Sequence, residues 1–164
     1  MMDSRNHTNN IEVNNRVARS IADKFIGALI DLESARDVEQ IVMLFADDCQ
    51  VGNVLAFEKY RGIEGARRFW TNYRANFGDV CSVFQNEIYS ENNVVLEWTT
   101  EGKIKNGRKI KYEGVSILET EGEKITRFYA YFDSKHLEQQ IIAPKNGNGR
   151  HGPKQALRMT SSII

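Results

Sequence analysis

The chain has 164 residues, 41% apolar and 27% charged, with 22 basic against 22 acidic side chains and therefore no formal net charge. That is the length of one domain with an ordinary globular mix, large enough to bury a proper core. Balanced charge leaves no electrostatic footprint for nucleic acid or an anionic membrane, and no apolar run is long enough to span a bilayer.

In chain order, Met1 to Asn10 is polar, lacks an apolar signal core and reads as a disordered lead-in, so the expected setting is the cytoplasm. Val17, Ile21, Phe25, Leu29 and Leu32 then fall on one stripe of a helix from about Ile11 to Ser34. Asp37, with Gln40 three residues on, resembles a helix start, and Val38, Ile41, Val42 and Phe45 make the next stripe. Asp47 and Asp48 follow where that helix gives way to a short strand, a place where carboxylates usually bond a turn backbone. Gly62 opens a third helix with an apolar face of Ile63, Ala66, Trp70, Tyr73 and Phe77, and Gly78-Asp79 closes it.

The second half reads as strands over Val80–Tyr89, Asn93–Ile104, Lys109–Thr120 and Lys124–Asp133. The joints Glu91-Asn92, Asn106-Gly107 and Glu121-Gly122 are hairpin chemistry, so these strands form an antiparallel meander. A short helix over Ser134–Ile142 closes it, and 143–164, with Gly147, Gly149 and Gly152, reads as a flexible tail behind a single domain over 11–142. Helices followed by a meander make an α+β fold, a sheet curled around helices with an apolar interior. Cys49 and Cys81 have no metal-type spacing and read as reduced, mostly buried thiols; no metal and no cofactor is expected.

Ala28-Leu29, the Val42–Asp48 segment, Arg61-Gly62 with Ala66 and Phe69, Tyr112 through Val115, Gly122 with Lys124-Ile125, and Tyr131-Phe132-Asp133 occur in an order and spacing that resembles the nuclear-transport-factor-2-like superfamily, in its SnoaL-like polyketide cyclase and ketosteroid isomerase branch. The resemblance implies a cone-shaped curved antiparallel sheet wrapped around about three N-terminal helices, a cystatin-like α+β roll. It leaves activity open, because this superfold hosts isomerases, cyclases, dehydratases, epoxide hydrolases and non-enzymes.

Carried over by position, the isomerase's proton-shuttling Asp becomes Asn53, which has no titrating proton, and its oxyanion Tyr becomes Phe25. Its protonated Asp becomes Ser116. The Arg and two Asp residues of limonene-type epoxide hydrolases have Trp98, Thr100 and Ala130 near their places. Scytalone-type dehydratases use pocket histidines; here His7 and His151 lie in the terminal segments, and His136, after the last strand, reads as a surface residue.

By the isomerase register, Phe128, Ala130 and Phe132 point into the cone beside Trp98 and Thr100, with Asn53 and Ser116 as polar handles and Phe25 and Trp70 from the helices. That lining suits a small apolar ligand, polyketide- or steroid-like, and the competing reading is a filled core. Phe57, Glu58, Tyr60 and Arg61 belong to a loop expected over the mouth. Val95, Val115, Ile117, Tyr129 and Tyr131 point outward and make a face too apolar for water, which implies a homodimer, with Glu97, Lys111, Glu113, Glu119 and Arg127 as cross-strand ion pairs. A one-residue slip would exchange the two faces and make Asp133 or Glu97 the available pocket base. A silent binding module and a proton-transfer enzyme both remain open.

Overall fold

The computed structural model describes residues 4–142, so the expected 143–164 tail lies outside the described residues. Helix α1 runs Ser4–Ala35 and buries Ala18, Ile21, Ala22, Phe25, Ala28, Leu29 and Leu32. It begins inside the Asn-rich stretch that composition reads as a disordered lead-in. Once the apolar stripe anchors a helix, each further residue adds a backbone hydrogen bond at little cost, so weak formers can extend it.

Helix α2 is one turn, Glu39–Val42, and Asp37 does start it: the Glu39 N–H donates to Asp37 Oδ1 at 3.0 Å. Phe45 is not on that helix but opens strand β1, Phe45–Asn53. The switch follows from sheet pairing, since the Ile125 N–H donates to the Leu44 carbonyl at 2.8 Å and draws the chain alongside the last strand. Asp47 and Asp48 are exposed on β1 rather than placed at a turn to bond its backbone. Strand β2, Tyr60–Arg61, pairs antiparallel with β1 and leads into helix α3, Gly62–Ala75.

Phe77, expected to close α3, instead opens strand β3, Phe77–Ser90, which is followed by β4, Asn93–Ile104, β5, Lys109–Glu121, and β6, Lys124–Phe132. Helix α4, Ser134–Ile142, buries Leu137 and Ile141. The six strands form one sheet in the order β2-β1-β6-β5-β4-β3. The hairpin pairs are antiparallel as expected, but β1 joins β6 in parallel, so the sheet is mixed at that edge. With α1 and α3 packed on its concave side, this is the curved-sheet α+β fold. Among the described residues no helix is long and apolar enough to cross a membrane.

The pairing Trp98↔Gly114↔Phe132 runs across three strands. A Cβ on Gly114 would overlap the Tyr131 carbonyl and meet the Trp98 ring at 2.9 Å, so only glycine lets the indole lie against the sheet. Gly114→Ala should therefore lower unfolding free energy by about 1–3 kcal/mol or more in urea denaturation. Gly27→Ala on the exposed side of α1, where an added Cβ meets nothing within 4 Å, should raise it by about 0.5–1 kcal/mol.

The two cysteines differ, and Cys81 departs from expectation. Cys49 is fully buried, and burial, reinforced by the Asp48 carboxylate, pushes its thiol pKa up. Cys81 sits on the outward side of β3 and is exposed. Since the thiolate is the reactive form, a thiol reagent should label the native protein at Cys81 alone and reach Cys49 only after denaturation, as mass spectrometry would read.

Candidate functional site

The concave side of the sheet and the two long helices enclose a cavity of about 40 Å³. Phe25 and Leu29 of α1 and Phe69, Trp70 and Tyr73 of α3 close it from the helix side. These positions follow from the helical period: Phe25 and Leu29 are four residues apart, as are Phe69 and Tyr73, so each pair shares one face. Ser82 and Phe84 of β3, Trp98 and Thr100 of β4, and Tyr112 and Ser116 of β5 line it from the sheet, followed by Phe128, Ala130 and Phe132 of β6. Their spacing by two is the strand alternation, so the inward register expected for these strands is the one adopted, with Leu96↔Ser116↔Ala130 as one cross-strand row.

Three expected lining residues lie elsewhere. Asn53 is fully buried, but its Oδ1 accepts from the Leu55 and Ala56 N–H groups at 2.9 Å each, so it shapes the turn after β1 and does not line the cavity. Phe57 is fully exposed and covers nothing. Tyr60 belongs to β2, its ring edge-on to Phe69 at 5.6 Å on the side away from the cavity lining. The reserve bases of the slipped register are also out of reach. Glu97 is exposed on the outer face opposite Val115, and Asp133 accepts from the His136 N–H at 2.9 Å, starting α4. His136 itself is exposed.

Most of the lining is aromatic and mutually locked. Trp70 packs against Phe25, Phe69 and Phe128 with ring centroids 5.7, 5.0 and 5.0 Å away, and Trp98, Tyr112 and Phe132 form a second cluster at 5.4–6.3 Å. Phe84 and Phe132 are the only half-buried lining residues and mark where the cavity meets solvent.

The polar groups gather around a carboxylate that the sequence reading did not single out. Glu33, 5% exposed near the end of α1, takes the Ser82 N–H on Oε2 at 2.8 Å. Its Oε1 takes the Tyr73 hydroxyl at 2.7 Å and the Ser82 hydroxyl at 2.6 Å. Ser82 Oγ lies 2.8 Å from Thr100 Oγ1. No Lys, Arg or His lies within 4 Å of this carboxylate among the described residues. Burial pushes the pKa values of Tyr73 and Tyr112 well up, with the Glu33 charge adding to both, so both phenols keep their protons. One sequence signal could have found this group: Glu33 continues the buried row Phe25–Leu29 at the next fourth position, where a charge is out of place.

Elsewhere in the lining, Trp98 Nε1 donates to Ser116 Oγ at 2.9 Å, whereas the buried Trp70 Nε1 has no acceptor among the described residues. Among the described residues no group of three or more His, Cys, Asp or Glu side chains could hold a metal ion.

The structure is similar to a ketosteroid-isomerase-like protein from Catenulispora acidiphila in complex with trimethylamine, at 18% identity over 77% of this chain and 98% of that one, with a TM-score of 0.65. It is also similar to TerC co-crystallised with polyporic acid, at 17% identity over 77% and 99% of the two chains and a TM-score of 0.68. A third neighbour is a Mycobacterium tuberculosis epoxide hydrolase of the LEH-like kind, at 16% identity over 75% and 90% and a TM-score of 0.61. At these identities the likeness is one of fold. No curated protein matches the chain. Residues 26–128, from the last third of α1 to the middle of β6, match the SnoaL-like domain, and the chain belongs to that family.

Proposed function

We propose that the protein binds a small, mostly apolar molecule in the cone cavity. The observation that carries this reading is the cavity's composition: locked aromatic rings with the hydroxyls collected at one end, as in sites that orient a ligand by a few polar contacts. A volume of about 40 Å³ holds about three waters at 10–15 Å³ each, so the ligand is compact or displaces Phe84 and Phe132 on entry. The unpaired Trp70 N–H supports an occupant with an oxygen acceptor, since a buried donor without a partner costs stability. The neighbours in complex with trimethylamine and co-crystallised with polyporic acid support this reading. One observation favours a second reading, a proton-transfer enzyme: the Glu33 carboxylate is linked to the cavity through Ser82 and Thr100.

Phe132→Ala should enlarge the mouth and tighten binding of toluene-sized probes severalfold in calorimetric titration. Unchanged or weaker binding would show that ligands do not enter there. Steroid isomerisation should be undetectable, because Phe25 offers no oxyanion donor and Asn53 is turned into its own loop. For the same reason Asn53→Asp with Phe25→Tyr should not confer it, and measurable turnover of a steroid enone by either protein would contradict this.

The outer sheet face supports pairing with a second copy. The rows Ile88–Val95–Ile117–Tyr129 and Glu97–Val115–Tyr131 run across it, with Ile88 56% and Tyr131 44% exposed. Tyr129 and Tyr131 pack with tilted rings, centroids 4.8 Å apart, and the pairs Arg127–Glu119 and Lys111–Glu101, each at 2.6 Å, border the patch. A two-fold axis lets such a patch cover itself. Sedimentation should give a homodimer at micromolar concentration and a monomer for Ile117→Lys with Tyr129→Lys.

A further inference from the structure

We propose that the ligand of this cavity carries a hydroxyl group that donates a hydrogen bond to the polar end anchored by Glu33. The proposal rests on the reading of the cavity as a ligand site and adds the chemical class of its occupant. The argument is one of proton direction. Each hydroxyl has a single proton to give, whereas a carboxylate accepts only. Glu33 takes the protons of Tyr73 and Ser82. Ser82 Oγ, its own proton spent, can only accept at the 2.8 Å contact with Thr100, so Thr100 donates to it. The hydroxyls of Tyr73, Ser82 and Thr100 therefore aim their hydrogens away from the cavity, toward one carboxylate, and leave this end of the cavity their oxygen lone pairs.

All three residues line the cavity, while Glu33 stands one layer behind them. A carbonyl or ether oxygen brought to this end would face lone pairs. A ligand O–H completes the chain and is the group selected. This is the opposite polarity to an oxyanion hole, where donors converge on a developing negative charge. Ser116 and Trp70 sit apart from the chain, with the Ser116 hydroxyl already accepting from Trp98.

Phenol and toluene differ by an O–H against a methyl of nearly the same size, and toluene is the more hydrophobic. Apolar burial alone therefore ranks toluene first. Titrating the full chain with each, by calorimetry and by backbone amide NMR shifts that include Ser82, should show phenol bound about tenfold or more tightly. Glu33→Gln places an NH₂ against the Tyr73 and Ser82 hydroxyls, because the Ser82 N–H claims the amide oxygen. Those hydroxyls must then turn their protons toward the cavity, and the phenol preference should fall to one or below. Thr100→Val, close in shape and without the hydroxyl, should also remove the preference if Glu33→Gln fails to fold. Toluene binding as tightly as phenol would overturn the proposal while leaving the apolar cavity in place. A phenol preference that survives both substitutions would overturn the role of Glu33. If neither probe binds, the cavity is not a ligand site and both readings fall.

Discussion

One buried carboxylate holds the two long helices to the sheet. Glu33 comes from α1, Tyr73 from α3, Ser82 from β3 and Thr100 from β4, and the hydrogen bonds among them are the polar contacts that cross the interior. A carboxylate inside a protein costs several kcal/mol in lost hydration unless its oxygens are hydrogen-bonded. Here a backbone N–H and two hydroxyls supply that compensation, and among the described residues no cation lies close enough to form an ion pair. The geometry of α1 against the sheet is thereby set by directional bonds as well as by apolar packing, which is tolerant of sliding. The same bonds dictate which atoms the cavity shows to a visitor.

The apolar part of the interior depends on a second constraint, the close approach of a ring to a strand. Without a side chain on Gly114, the Trp98 indole lies flat against β5 and reaches Tyr112 and Phe132. Across the cone, Trp70 does the same for the helix side with Phe25, Phe69 and Phe128. The two clusters leave only a narrow space between them, and the half-buried Phe84 and Phe132 border it. The interior is thus close to the filled core that competed with a pocket from the beginning, and whatever enters must work against rings that are already well packed.

Inside and outside are coupled by the strand pleat. Each residue that aims a ring or hydroxyl inward is followed by one aimed outward, so the register that builds the cavity also places Val95, Ile117 and Tyr129 in one row on the convex face. Gly52 extends that row on β1: a Cβ there would press on the Tyr129 ring at 3.3 Å, so glycine lets the tyrosine lie down on the sheet. Lys59 and Arg127 sit over the same ring at 5.9 and 5.7 Å, which leaves an aromatic surface edged with positive charge.

Much of this was legible in the sequence. The meander strands, their hairpin joints, α4 at Ser134–Ile142 and the inward faces of β4, β5 and β6 follow from period and turn chemistry, which are local properties. Other features were decided by partners distant along the chain. Pairing with β6 takes Phe45 from helix to strand and makes β1 parallel. Asn53 matches a catalytic position by order along the chain, but a backbone turn two residues ahead claims its oxygen. Phe57 and Tyr60 lie in the expected loop region, yet neither reaches the cavity, because adjacency in sequence does not set the direction of a side chain. Glu33 and Ser82 are 49 residues apart, and neither spacing nor propensity connects them. A carboxylate on a helix reads as a solvated charge until the packing of two other elements supplies its hydrogen-bond donors, and that packing exists only in the folded chain.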